Sequence, residues 1–209
     1  MINVLIVEDD RMASKLLEMF LQDSKIYKVA ATVESASMAE LFCSKGMCDL
    51  ILMDVCTSMN ASGLDAAEKI KAAYPEIKII IITSQPEISF IERAKCIGVD
   101  SFWYKSPIES ELLSVMDRTV AGEQVFPETP PTLKMGCALS VEFTDRELDV
   151  LRELITGDTN KEIADRLNMS QYTVRDYIQS MLDKTGFRSR TELAVKAREL
   201  GIIIPENKK

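Results

Sequence analysis

Carboxylates, a hydroxyl and an ammonium stand at the ends of successive apolar runs in this chain. Glu8-Asp9-Asp10 follows Val4-Leu5-Ile6-Val7, and Asp54 follows Leu50-Ile51-Leu52-Met53. Thr83-Ser84 follows the run from Ile77 to Ile82, and Lys105-Ser106-Pro107 follows Ser101 to Tyr104. Crowded carboxylates repel one another, and either a proton or a hard cation must relieve them. Mg2+ suits such a place, because it takes a few carboxylate oxygens, keeps several waters and completes its shell with a phosphate oxygen. With the charge of an incoming phosphoryl group neutralised, Asp54 could attack phosphorus and form an acyl phosphate. Lys105 would pair with the phosphoryl oxygens, and Thr83 would donate a hydrogen bond. Taken singly these residues have ordinary uses: Asp9 or Asp10 as a helix N-cap, Thr83 as a strand-end residue, Lys105 as a solvated lysine. Their joint placement at strand ends is what makes the pattern specific. Histidine is absent, which excludes a histidine base, a histidine-ligated metal and a phosphohistidine on this chain.

The elements that must carry these residues follow from periodicity. Short β-rich runs at Val4 to Val7, Tyr27 to Val33, Leu50 to Met53, Ile77 to Ile82 and Ser101 to Tyr104 alternate with helical stretches at 11–22, 36–45, 62–74, 86–96 and 109–121. Five strands separated by helices imply right-handed crossovers and a doubly wound α/β fold with a five-stranded parallel sheet. Ligands of such sheets gather at the carboxyl ends of the strands, where the charged residues lie. Three prolines within Pro127 to Pro131 then mark an extended linker. Beyond it the chain reads as a small all-α unit with helices at 145–156, 159–167, 170–184 and 190–200. Thr144 with Glu147 and Thr159 with Glu162 have the spacing of capping boxes, and Ser170 is a third N-cap candidate. The division is therefore 1–122, a linker at 123–141, and 142–209.

With 46% hydrophobic and 28% charged residues the composition is that of a soluble globular protein. No apolar run approaches the roughly 18 residues of a membrane span, and the start lacks the basic region and cleavage site of a signal peptide. A cytoplasmic location without membrane attachment is the expectation. Cys43, Cys48, Cys56, Cys96 and Cys137 lack paired zinc-type spacing and read as small buried hydrophobes.

On the set Glu8, Asp9, Asp54, Thr83 and Lys105, residues 1–122 resemble the CheY-like receiver domain of bacterial two-component response regulators. The resemblance implies the strand order 2-1-3-4-5. It also implies that Asp54 is phosphorylated by a partner sensor histidine kinase and that Glu8 and Asp9 hold Mg2+ together with Asp54 and the main-chain carbonyl of Cys56. Thr83 and Phe102, three residues before Lys105, match the family's switch pair, in which the hydroxyl moves toward the phosphate and the ring turns inward. Thr57-Ser58 replaces the Met-Pro common in the family, so unusual geometry is expected in the loop after Asp54. Cys56 and Gln85 occupy positions that tune the lifetime of the acyl phosphate. Asp-nucleophile phosphatases carry a second carboxylate two residues after the first, and here that residue is Cys56, which argues against a multiple-turnover enzyme.

Residues 144–200 resemble the LuxR-type helix-turn-helix of the NarL/FixJ subfamily. The match is carried by Phe143 to Leu151, Asn160 to Leu167, Ser170 to Arg175 and Lys184 to Arg190. It implies a second helix lying in the major groove of double-stranded DNA. Thr173, Arg175, Asp176 and Gln179 would then face bases, while Lys161, Lys184, Arg188 and Arg190 suit phosphates. Residues 142–209 carry 12 Lys and Arg against 13 Asp and Glu, so a strongly basic footprint is missing. Tyr177 replaces the family's usual histidine, and Asp176 stands where a neutral or basic side chain is commoner. Modest monomer affinity, raised by a homodimer formed on activation, is the consequence. The alternative is a regulator that no longer uses phosphate and responds to protein contacts.

Overall fold

Alternation along the strands decides where the helices pack. The computed structural model describes residues 1–203, apart from the side chains of Asn60 and Ile88. It divides into two compact units, one formed by Met1–Ser84 with Ile88–Thr129 and the other beginning at Pro130.

The first unit runs β1 (Ile2–Val7), α1 (Arg11–Gln22), β2 (Tyr27–Val33), α2 (Ala39–Ser44), β3 (Leu50–Asp54), β4 (Cys56–Thr57), β5 (Ala61–Ser62), α3 (Gly63–Ala73), β6 (Lys78–Thr83), α4 (Ile88–Cys96), β7 (Ser101–Tyr104) and α5 (Glu109–Val120). Its five-stranded sheet has the order β2-β1-β3-β6-β7, all parallel. That is the doubly wound 2-1-3-4-5 arrangement of the receiver fold. Val4, Ile6, Leu50, Leu52, Ile80 and Ile82 point to one face, where Leu17 and Leu21 of α1 and Leu112 and Met116 of α5 cover them. Leu5, Val7, Ile51, Met53, Ile79 and Ile81 point to the other, under α2, α3 and α4. Burial on both faces explains why these strands read as unbroken apolar runs rather than alternating ones.

The stretch 36–45 departs from a single helix: Ala36–Met38 is a 3-10 turn and only Ala39–Ser44 is α-helical. The linker is also shorter than its composition implies. Phe102 N donates to Val125 O at 2.8 Å, and Val125 N donates to Ser101 Oγ at 3.1 Å, so the chain leaving α5 still belongs to the first unit. Farther on, β8 (Lys134–Met135) and β9 (Ala138–Leu139) form a hairpin whose Met135 and Ala138 are buried in the second unit's core. Its turn needs Gly136: φ is +63°, and a Cβ there would lie 2.1 Å from Thr185 O.

The second unit continues with α6 (Asp145–Leu154), α7 (Asn160–Leu167), α8 (Gln171–Thr185) and α9 (Arg190–Glu199). Thr144 and Thr159 each accept from the backbone N–H three residues on, and Glu147 and Glu162 return the bond to complete both boxes. α7 ends where Asn168 takes a left-handed conformation (φ +51°), which turns the chain into Ser170, the N-cap of α8. Ile163 and Ala164 of α7 pack with Val174, Ile178 and Met181 of α8 in the shared core. Residues 204–209 of the 142–209 division lie outside the described residues. Among the described residues no helix is long and apolar enough to cross a membrane.

The reading of all five cysteines as buried needs correction. Cys43 and Cys48 are buried, Cys56 is half-buried, and Cys96 and Cys137 are exposed. Cys96 ends α4 and Cys137 lies in the β8–β9 turn, places a single sequence does not distinguish from core.

Ser170→Ala should lower stability by about 1 kcal/mol, and Ser170→Gly by only a few tenths, because Ser170 Oγ accepts from Thr173 N at 3.0 Å. Urea denaturation of the full chain checks this; equal midpoints for wild type and Ser170→Ala would show that the cap does not hold α8.

Candidate phosphoacceptor site and helix-turn-helix surface

Parallel register lines up the carboxyl ends of β1, β3, β6 and β7. Val7 pairs with Met53, Asp54 with Ile82, and Thr83 with Tyr104, so Glu8, Asp54, Thr83 and Lys105 emerge at one edge. Asp10 caps α1, accepting from Met12 N at 2.7 Å and Ala13 N at 2.9 Å. That frees Asp9 from capping, and it lies exposed at the rim. One carboxylate oxygen each from Glu8, Asp9 and Asp54 falls within 4.8 Å of the others.

Charge at this edge is held by one ammonium. Lys105 Nζ lies 2.5 Å from Glu8 Oε2 and 3.1 Å from Asp54 Oδ1. Glu8 and Asp54 are 2% and 7% exposed, so neither carboxylate is diluted by solvent. Glu8 Oε1 accepts from Asp10 N at 3.2 Å, whereas the buried Oε2 makes no hydrogen bond of proper geometry and has only the Lys105 charge against it. A buried carboxylate oxygen lacking a directed donor, beside two further carboxylates, is the donor set a hard divalent cation takes. Burial pushes the Asp54 carboxyl up to about 7; Lys105 opposes this and the Glu8 charge adds to it. Burial pulls Lys105 down, but Asp54 and Glu8 outweigh it, and its pKa lies above the usual lysine value.

Thr83 and Phe102 are each 1% exposed. The Phe102 ring lies in the core under α3 and α4, edge-on to Tyr104 with centroids 5.1 Å apart. An inward swing therefore has no outward starting point here: a ring without a hydroxyl gains nothing by facing water.

The loop after Asp54 is a two-residue-stranded hairpin of β4 and β5 with Met59 at φ +60°. Thr57 clamps this loop: its hydroxyl accepts from Ala36 N at 2.9 Å and donates to Ala61 O at 2.8 Å. Gly63 closes the loop, with its N–H donating to Val55 O at 2.8 Å. A Cβ on Gly63 would sit 1.8 Å from the Asp54 carbonyl oxygen. The sequence marked Thr57 as a departure but neither its clamp nor Gly63, because the clamp spans 21 residues and the close approach exists only once α3 packs on β3.

In the second unit Thr173, Arg175, Asp176 and Gln179 lie exposed on α8. Arg175 is poised over the Tyr172 ring at 5.5 Å, and Tyr172 is 72% exposed; an aromatic beside the candidate face was missed because only the helix register distinguishes it. The four residues suited to phosphate divide. Lys161 and Arg188 are exposed. Lys184 Nζ is held by both Glu147 oxygens at 2.8 and 2.7 Å and by Glu142 O at 2.9 Å. Arg190 donates to Asn160 Oδ1 at 2.8 Å and Asp158 O at 2.7 Å. Glu147, 2% exposed, also accepts from Thr144 N and Ser180 Oγ, and this full set of donors holds its carboxyl below the usual range despite burial. It ties α6 to α8.

A doubly wound unit with an acidic, lysine-bridged strand edge is followed along the chain by a helix-turn-helix unit. Residues 4–117 match the response regulator receiver domain and residues 141–197 the luxR family of bacterial regulatory proteins. The chain belongs to the response regulators, with an output half of the luxR type that marks a regulator of transcription. It is 29% identical over 207 residues to response regulator protein VraR of Staphylococcus epidermidis, covering 97% of this chain and 99% of that one. VraR of Staphylococcus aureus strain NCTC 8325 is 28% identical with the same coverage. Among solved structures, RcsB of Salmonella typhimurium is similar at 18% identity and TM-score 0.55, over 94% of this chain and 98% of that chain. A structure of two RcsB dimers bound to two parallel DNAs is similar at 18% identity and TM-score 0.64, over 95% and 98%.

Two predictions follow from the strand edge. Gly63→Ala should cost about 1–3 kcal/mol in urea denaturation, since overpacking must push β3 or α3 aside; an unchanged midpoint would contradict the close approach. The raised Asp54 pKa favours the folded state when Asp54 is protonated, an advantage complete below about pH 4 and lost as pH rises through about 7. In metal-free buffer Asp54→Asn should therefore match wild type near pH 4 and exceed it at pH 8, by at most on the order of 4 kcal/mol. A pH-independent difference would show that Asp54 does not titrate in that window.

Proposed function

We propose that residues 1–122 are a receiver that accepts a phosphoryl group on Asp54 from a sensor histidine kinase, and that residues 142–209 are its DNA-binding output, joined through 123–141. The observation that carries this reading is the placement of Asp54 beside Lys105, Glu8 and Asp9 at one strand edge. Glu8, Asp9, Asp54 and the Cys56 carbonyl would hold Mg2+, which when bound neutralises charge on the phosphoryl oxygens. An Asp54 carboxylate oxygen bonds to phosphorus as the N–P bond of the kinase phosphohistidine breaks and the electron pair leaves on the imidazole nitrogen. Lys105 opposes the burial that favours the protonated Asp54 carboxyl and pairs with the transferred oxygens, and Thr83 donates a hydrogen bond to them. Gathering charge at Asp54 biases the receiver between two states through Thr83, since Phe102 is already buried and has no inward swing to make.

Cys56 stands where a phosphatase would carry its general acid, which argues against repeated turnover. Activated chains pair as homodimers, and α8 of each enters the major groove of double-stranded DNA. RcsB bound to DNA as dimers has the same fold, which supports the reading. On this reading the protein works in the cytoplasm, where its DNA lies.

Incubation with Mg2+ and a small phosphodonor should add one phosphoryl group, absent in Asp54→Asn and strongly reduced without Mg2+; labelling of Asp54→Asn would sink the assignment. On DNA, Lys161→Gln and Arg188→Gln should each reduce the slope of log affinity against log salt by about 1. Lys184→Gln should instead lower folding stability, because its ammonium is committed to Glu147. Equal slopes for all three variants and wild type would remove the assigned phosphate contacts.

A further inference from the structure

We propose that the exposed face of α8 reads hydrogen-bond donors on base edges, with Asp176 selecting cytosine in each half-site. This rests on the DNA-binding reading above and deepens it from a class of ligand to a base.

Asp176, Gln179 and Asp183 share one face at i, i+3 and i+7, lining a shallow groove with Ser180 and Lys184. The polar atoms of that groove are arranged as acceptors. Asp176 is 73% exposed at its side chain, with the Arg175 guanidinium 3.6 Å from its Oδ1. Gln179 donates one amide N–H to Asp183 Oδ1 at 2.8 Å, which leaves its carbonyl oxygen available as an acceptor. Apart from Arg175, which lies between Asp176 and the Tyr172 ring, the donors that could reverse this polarity are engaged elsewhere. Lys184 is held by Glu147, and Thr173 Oγ1 is within 2.8 Å of Ser170 Oγ in the cap.

A negative centre repels phosphates, so this groove suits the middle of the major groove, where base edges rather than backbone are met. There guanine offers only acceptors, thymine an acceptor and a methyl, and adenine a donor beside the N7 acceptor. Cytosine offers the N4 amino group with no acceptor of its own beside it, and it is the base a carboxylate takes. Asp176 and Gln179 are about 4.5 Å apart along the helix axis, close to the roughly 3.4 Å rise of one base pair. The pair thus addresses neighbouring base pairs, with Asp183 as the positioning residue that orients Gln179.

The test is DNA-binding selection from random duplexes with the phosphodonor-treated full-length protein, comparing wild type, Asp176→Asn and Asp176→Ala. These positions are exposed, and a denaturation curve on each variant verifies folding. Wild type should enrich half-sites with one near-invariant cytosine. Asp176→Asn, whose amide both donates and accepts, should shift that position to adenine, and Asp176→Ala should lower the preference for cytosine there roughly tenfold. Asp183→Ala should broaden only the neighbouring position. An unchanged motif in Asp176→Asn and Asp176→Ala overturns the proposal while leaving DNA binding intact, as does uniformly tighter binding of Asp176→Ala with no change of motif, the signature of phosphate repulsion alone. Failure of wild type to enrich any sequence overturns the DNA-binding reading along with it.

Discussion

One ammonium between two buried carboxylates is the constraint on which the first unit depends. Glu8 and Asp54 are brought within reach of Lys105 by three different strands, and each would be costly to bury alone. The sheet must therefore hold β1, β3 and β7 in register with β6 between, or the charges lose their counterpart. Even so the compensation is incomplete, as the Asp54 carboxyl displaced to about 7 records. An edge so poised gains from any further positive charge, and any change of charge at Asp54 would redistribute what packing alone leaves unbalanced.

The second unit answers a related problem with the opposite outcome. Glu147 is as buried as Glu8, but it receives Thr144, Ser180 and Lys184 as directed donors, and its carboxyl is held below the usual range. A saturated network of this kind rigidifies, fixing α8 against α6 and presenting an unchanging face. The molecule thus places its unsatisfied acid where a ligand is to bind and its satisfied acid where geometry is to be kept. The cost of the second choice is that Lys184 is withdrawn from the pool of cations able to meet phosphate, in a unit whose charge is already close to balanced.

Much of this was legible along the chain because period and strand ends carry it. Continuous apolar runs of four to six residues announced strands buried on both faces, and the residue after each run had to lie at a carboxyl edge. Capping boxes at Thr144 and Thr159 were readable because both partners lie within one turn. Boundaries shifted where local signals competed with packing: Val125 joins the edge of β7 despite the prolines that follow, and 36–45 splits into a 3-10 turn and a short helix.

The order and chemistry of the strand-end residues Glu8, Asp9, Asp54, Thr83 and Lys105, the caps of the helical unit and the acidic character of Asp176 belong to the sequence alone, since each depends on neighbours a few residues away. Only the tertiary structure decided that Asp10 rather than Asp9 caps α1, that Thr57 clamps the loop after Asp54, and that Phe102 already lies inward. It also decided that Lys184 and Arg190 are bound within the fold while Lys161 and Arg188 are exposed. These outcomes turn on contacts between residues tens of positions apart, and charge satisfaction in a buried place is set by what packing brings near, which no local pattern encodes.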